Sequence, residues 1–203
     1  LHTLAYGTDA SFYRLIPKIV IKTDNAKEVQ DIIELSNSLN LSITFRAGGT
    51  SLSGQAISDS ILVITSRNFS NFKIAPDASY ISLQPALTGA QVNGLLARYS
   101  KKIGPDPASI NAAMIGGIAA NNASGMCCGI SQNSYKTLKS MKLIFADGAK
   151  LDTGCSESKD AFRKSHGDFL NDLKSFSQDT KNNEPLRAKI ERKFKIKNTC
   201  GSQ

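Results

Sequence analysis

The sequence predicts an α+β fold that runs out into a helical stretch towards its C-terminal end. Three observations carry that expectation. Residues 19–45 alternate strand, helix and strand signals; further strand patterns follow at Ile61–Ile64, Tyr80–Gln84 and Met141–Leu151; and beyond Asp152 the apolar spacing changes from alternation to a period of about 3.6. With 203 residues, 40% of them apolar and 21% charged, the chain is long enough to bury a sizeable core, in one domain or in two small lobes.

Each element has its own justification. Ile19-Val20-Ile21 is β-branched throughout, as strands favour. Asn25 followed by Glu28 is a helix-start pair, and Val29, Ile32, Ile33 and Leu39 then fall along one side of the helix. Leu41, Ile43 and Phe45 alternate with Ser42 and Thr44, which predicts a strand with its apolar face buried. Ile61-Leu62-Val63-Ile64 is a second apolar strand. Tyr80 to Gln84 alternates and leads to Thr88-Gly89-Ala90-Gln91, a capping-box pattern that starts a helix carrying Val92, Leu95, Leu96 and Tyr99 and ending by Ile103. The prolines of Gly104-Pro105-Asp106-Pro107-Ala108-Ser109 forbid helix there. Met141, Leu143 and Phe145 alternate up to the turn pair Asp147-Gly148, with Leu151 on the return. In the tail, Phe162, Phe169, Leu173 and Phe176, then Leu186, Ile190 and Phe194, keep helical spacing on either side of the polar connection Asp179–Asn183. The chain stops at Gln203 without a clear final element, the pattern of a piece of a longer protein.

Lysine and arginine outnumber aspartate and glutamate by 25 to 17, a net charge of +8 that favours anionic ligands without choosing among them. No apolar run reaches the 18 or so residues of a membrane span, and no signal-peptide pattern opens the chain. Cys127, Cys128, Cys155 and Cys200 form no C-x-x-C, so neither a zinc site nor a disulfide framework is suggested, and reduced thiols are expected.

Two stretches could carry chemistry. Arg46 to Gln55 sets three glycines, two serines and a threonine directly after a strand, so its N–H groups can approach an anion without a Cβ in the way. Three or four hydrogen bonds to charged oxygen, at roughly 1.5–3 kcal/mol each, would hold a pyrophosphate. The same composition also makes ordinary turns, and a plain connection between strands stays open. The stretch is neither a Walker A sequence nor a G-x-G-x-x-G that opens a helix. The second stretch, Ile115 to Gly125, has almost no side-chain bulk. It suits either a flat ring laid against it or close helix-to-sheet packing, and Asn121 and Asn122 argue against packing alone.

Taken in order, R-A-G-G-T-S-L-S-G-Q, G-P-D-P-A-S and I-G-G-I-A-A-N-N-A-S-G resemble the FAD-binding, PCMH-type domain of the vanillyl-alcohol-oxidase flavoprotein superfamily, in its D-lactate, glycolate and D-2-hydroxyglutarate dehydrogenase branch. Met126-Cys127-Cys128-Gly129, Gln132 to Leu138, Ala146-Asp147-Gly148 and Lys195 to Thr199 are similar to the large bacterial members that fuse this domain to an iron–sulfur domain. The resemblance runs from about Pro17 to Gly201.

The resemblance implies a two-lobed α+β FAD-binding domain: a first lobe over residues 1–77, an incomplete second lobe over 78–203, and a helical insertion at 153–197. Arg46, Ala47, Gly48, Gly49, Thr50 and Ser51 would form the pyrophosphate loop. Pro105, Asp106 and Ser109 would border the flavin and ribityl chain, and Gly116, Gly117, Asn121, Ser124 and Gly125 would line the rest of the channel. Thr50 stands where covalently flavinylated relatives have His, which implies non-covalent FAD. No catalytic or metal-binding residue is expected in this stretch. The family's substrate base, anion-binding arginines and iron–sulfur cysteines lie later in the chain, so the stretch alone would be inactive and would hold FAD weakly. His2 and His166 are expected on the surface, and Cys127 and Cys128 in packing in preference to redox work.

The implied parent is a flavin-dependent dehydrogenase that oxidises a small D-2-hydroxy acid to the 2-oxo acid and passes electrons to an iron–sulfur domain or another electron-transfer partner. It would lie in the cytoplasm or peripherally on the inner membrane, without a membrane span. A nucleotide- or nucleic-acid-binding module without catalysis is the alternative that the charge motivates. The lack of Trp and the 7% aromatic content weigh against nucleic acid.

Overall fold

The computed structural model describes residues 2–194; the Lys195 to Thr199 motif, Cys200 and the side chain of His2 lie outside the described residues. A short helix α1 (His2–Ala5) precedes β1 (Ile19–Thr23), α2 (Ala26–Ser38), β2 (Ile43–Arg46) and β3 (Ile61–Thr65). The β-branched runs pair into a parallel sheet of order β1-β3-β2, with Ile19, Ile61 and Ile43 in one row and Ile21, Val63 and Phe45 in another. β3 has a strand on each side and is buried from Ile61 to Ile64, which accounts for its unbroken apolar sequence. Asn25 caps α2 by accepting from the Lys27 and Glu28 amides, and Glu28 reaches back to the Asp24 amide at 2.7 Å.

The buried faces are narrower than the alternation suggested. Leu39 and Leu41, one past the end of α2 and the other before β2, are exposed, as is Phe45, because β2 is an edge strand with a neighbour on one side only. α2 buries Ile33 and Ser36; burial of Ser36 is tolerated because its hydroxyl donates to the Ile33 carbonyl at 3.0 Å.

β4 (Phe72–Ile74) and β5 (Ile81–Leu83) form an antiparallel hairpin. β4 is three residues long and left no periodic trace in the sequence. The division expected between residues 77 and 78 falls in the turn of this hairpin, closed by Ala75 N–H to Tyr80 O at 3.0 Å. α3 (Gly89–Ala97) starts with the expected capping box of Thr88 and Gln91. It ends before Ile103, whose amide donates to the Asn93 side chain at 3.0 Å, and Tyr99 lies beyond the helix, exposed. Leu87, Val92 and Leu96 form a core against Ile74, Ile81, Leu83, Ile103 and Ile115.

The small-residue stretch contains a helix, α4 (Ile115–Ala120), in spite of two adjacent glycines; tertiary packing overrides their low propensity. α5 (Ser134–Thr137) is capped by Asn133. The hairpin of β6 (Lys142–Ile144) and β7 (Lys150–Asp152) turns at Asp147-Gly148 as expected, and α6 (Ser156–Ser165), α7 (Gly167–Asn182) and α8 (Glu184–Phe194) form the expected helical tail. Phe162 is buried between the rings of Phe145 at 4.7 Å and His166 at 4.1 Å.

His166 is therefore not the plain surface residue expected. Its Nε2 meets Asp147 Oδ2 at 2.7 Å and its ring stacks on Phe162, joining the helical tail to the β6–β7 turn. The expected apolar side of the next helix is not buried: Phe169, Leu173 and Phe176 are all exposed, and α7 buries no residue. Among the described residues no helix is long and apolar enough to cross a membrane.

Candidate functional site

The loop that follows β2 begins at Arg46, whose backbone is still paired with Ile64. Its guanidinium turns back on the protein: Nη1 donates to the Thr8 carbonyl at 2.7 Å and to the Ala56 carbonyl at 3.3 Å, and Cζ lies 5.6 Å from the centre of the Tyr6 ring. Gly49 arches over this group with φ +66, a conformation that favours glycine, and a Cβ there would come within 2.7 Å of Cζ and Nε, so a side chain would have to displace the guanidinium. The Ala10 amide donates to the Gly49 carbonyl at 3.1 Å. Asp9 accepts from the Ser11 and Ala56 amides; burial opposes its ionisation, but those hydrogen bonds and the nearby Arg46 charge hold its carboxyl below the ordinary value. The segment from Tyr6 to Asp9 thus belongs to the site, though sequence reasoning missed it. Its one signal was Asp9-x-Ser11, a side-chain-stabilised turn pair.

Among the described residues, no acceptor meets the main-chain N–H groups of Gly48, Gly49, Thr50 and Ser51. Thr50 and Ser51 lie half-buried on the same run, and the Ser51 hydroxyl bonds to Gln55 at 3.1 Å. Four successive donors without protein acceptors suit a multiply charged anion.

The structure brings the second stretch against this loop. A Cβ on Gly48 would collide with the carbonyl of Ala112, and the same construction on Gly117 falls 3.5 Å from Ala47 Cβ. Gly116 packs on Pro85, where a Cβ would come to 2.7 Å. The two asparagines divide. Asn121 is exposed and bonds back to the Gly117 carbonyl, whereas Asn122 is buried at φ +45 with its side-chain oxygen accepting from the Tyr135 amide. Ser124 is fully buried, and the Ser134 hydroxyl ties the carbonyls of Ile118 and Ala123 at 2.9 Å each. Asn122 therefore answers to the fold, and Asn121 remains at the surface of the site.

Pro105 is buried, and Ser109 anchors a turn by accepting from the Ala112 and Ala113 amides through its carbonyl. The Asp106 carboxylate accepts from the Cys128 amide at 3.1 Å and the Cys127 amide at 3.2 Å, and it packs so closely on Gly125 that any Cβ there would overlap it. Burial opposes ionisation of Asp106, but the bonds from Cys128 and Cys127 outweigh it and hold the carboxyl below its ordinary value. Burial, and then hydrogen bonding to the Asp106 side chain, push the buried Cys128 thiol up, away from thiolate chemistry.

A family model described as an FAD binding domain matches residues 17–154, from the start of the sheet through the β6–β7 hairpin. The chain belongs to this family. Curated relatives of this FAD-binding domain include the D-2-hydroxyglutarate dehydrogenase of Escherichia coli K12, 27% identical over 74% of this chain. The glycolate oxidase subunit GlcD of the same organism is 28% identical over 76%, and the D-lactate dehydrogenase of Archaeoglobus fulgidus is 26% identical over 67%. The chain spans only 15%, 32% and 31% of these relatives. Among solved structures, alkyldihydroxyacetonephosphate synthase superposes with a TM-score of 0.57 at 18% identity, over 69% of this chain and 28% of the synthase; this likeness concerns the fold. The α+β architecture with a helical C-terminal excursion is that of a PCMH-type FAD-binding domain, and the residues fit the cofactor: unpaired N–H donors for its phosphates lie beside a backbone stripped of side-chain bulk.

Proposed function

We propose that this domain serves a flavin-dependent dehydrogenase that oxidises a small D-2-hydroxy acid, of the class of D-lactate, glycolate or D-2-hydroxyglutarate, to the 2-oxo acid. The reading is carried by one observation: the run of unpaired N–H groups from Gly48 to Ser51 packed beside the small-residue helix α4. The substrate class is taken from the names of the relatives. FAD supplies the acceptor for the substrate's hydride.

The residues of this chain bind and orient the cofactor. Ala47, Gly48, Gly49, Thr50 and Ser51 hold the pyrophosphate, with the loop launched from Arg46. Asp106 and Ser109 border the flavin and ribityl chain, with the buried Pro105 behind them, and Gly116, Gly117 and Asn121 line the channel, with the buried Ser124 and Gly125 shaping its wall from behind. Thr50 offers a weakly nucleophilic hydroxyl where covalently flavinylated relatives have the His imidazole, so the cofactor dissociates. We assign the two-lobe division, residues 1–77 and 78–203, to this domain. We place electron delivery at an iron–sulfur partner and the whole protein in the cytoplasm or peripherally on the inner membrane.

Titration of the purified chain with FAD, followed by flavin fluorescence and visible absorption, tests the reading. Saturable binding that acid denaturation releases is the expected result, and no binding at any FAD concentration would refute it. Bleaching of the bound flavin by D-2-hydroxy acids in the longer protein tests the substrate class.

A further inference from the structure

Arg46 sits at the head of the loop that meets the phosphates, where a cation would ordinarily be read as their ligand. Its contacts point elsewhere. Nη1 is committed to two carbonyls, Thr8 O and Ala56 O, that lie on either side of the loop in sequence, and the rest of the guanidinium lies under Gly49. Tyr6 covers the group, Asp9 lends it a negative charge and pins Ala56, and Ala10 holds the Gly49 carbonyl. One planar cation thus joins the two ends of the loop to a segment that lies wholly before the matched family region, which begins at residue 17.

A guanidinium suits this task because Nη1 carries two N–H donors in the fixed plane of the group, one for each carbonyl, and it loses less hydration on burial than an ammonium. The bonds it makes are to backbone carbonyls, so they fix the path of the chain at residues 8 and 56, whatever side chains occupy those positions. With both ends fixed and Gly49 in a left-handed conformation over the guanidinium, the amides from Gly48 to Ser51 are left without acceptors among the described residues.

We propose that Arg46, clamped by residues 6–10, is a positioning residue that holds the Gly48–Ser51 amides ready for a pyrophosphate, so that the cofactor-binding unit includes the N-terminal segment. This rests on the function proposed above and adds to it both a role for Arg46 and a part of the site outside the matched region.

The test uses the whole 203-residue chain and ADP, which carries the pyrophosphate without the flavin. Arg46→Lys keeps the charge and loses the fork, Arg46→Gln loses both, and Asp9→Asn and Tyr6→Leu alter the clamp without touching the loop. Circular dichroism melts verify that each variant is folded, and Tyr6→Leu and Asp9→Asn serve if the Arg46 variants are not. Positioning predicts that Arg46→Lys and Arg46→Gln weaken ADP by the same factor, at least about tenfold, and that Asp9→Asn and Tyr6→Leu weaken it less but in the same direction. Amide hydrogen exchange at Ala10 and Ala56, whose N–H groups are bonded to the Gly49 carbonyl and to Asp9, should be faster in every variant without ligand. If Arg46→Lys binds ADP within about twofold of the native chain while Arg46→Gln does not, Arg46 is a phosphate ligand and the proposal is wrong. Unchanged exchange in the variants also overturns it. If the native chain binds neither ADP nor FAD, the proposed function fails, and the exchange rates still decide whether Arg46 positions the loop.

Discussion

Asp106 links two segments of the proposed cofactor site through a single carboxylate, and its protonation is expected to loosen both. Its carboxyl is held below the ordinary 3.8 by the Cys128 and Cys127 bonds acting against burial. A depressed carboxyl contributes stability that is present above the unfolded value and lost as pH falls through the lower, folded value. The native chain should therefore lose stability on acidification below about pH 4, and Asp106→Asn should show a shallower loss over that interval in urea titrations at stepped pH. At neutral pH the same substitution should cost about 1–3 kcal/mol, since a hydrogen bond to a charge is exchanged for a weaker one and a buried amide loses its partner. Gly49 poses a different residue-scale problem. Gly49→Ala should cost roughly 1–2 kcal/mol for its left-handed backbone alone, with displacement of the Arg46 fork in addition. A midpoint unchanged in denaturant titrations would mean that the loop relaxes to another conformation.

At the level of elements, caps and ring stacks carry separable contributions. Asn25→Ala should cost about 1 kcal/mol, because two first-turn amides lose their acceptor. Phe162→Ala should cost roughly 3–5 kcal/mol by emptying the space between Phe145 and His166, whereas His166→Phe, which keeps a ring and removes only the exposed bonds to Asp147 and Ser165, should cost under about 1 kcal/mol. Thermal melts of the two variants would rank these contributions, and equal losses would show that the Asp147 bond, not the stack, seats the tail. Elements with a chemical start signal were legible in the sequence: Asn25 with Glu28, Thr88 with Gln91, and Asp147-Gly148 all act as read. α4 was not, because its residues are poor helix formers held by contacts with Pro85, Leu87 and Ala47, all remote in sequence. For the same reason the two glycine-rich stretches could be singled out as sites, but the Tyr6–Asp9 clamp on Arg46 could not. Backbone carbonyls have no residue type, and Thr8 lies 38 positions from its partner.

Across the whole molecule, stability is distributed unevenly. β3 is buried with a strand on each side, while α7 buries nothing and turns Phe169, Leu173 and Phe176 outward. Native-state hydrogen exchange should find the amides of Ile61–Ile64 slowest and those of α7 and α8 fastest, and protection of α7 equal to that of β3 would contradict this ordering. The placement of β3 between β1 and β2 also bears on synthesis. β1 and β2 leave the ribosome first but have no pairing with each other, so about sixty residues emerge carrying two strands whose backbone donors and acceptors must wait for water, a chaperone or β3. A nascent chain arrested before Ile61 should therefore bind holdase chaperones through both strands, and one arrested some thirty residues after Thr65, with β3 clear of the exit tunnel, should release them together.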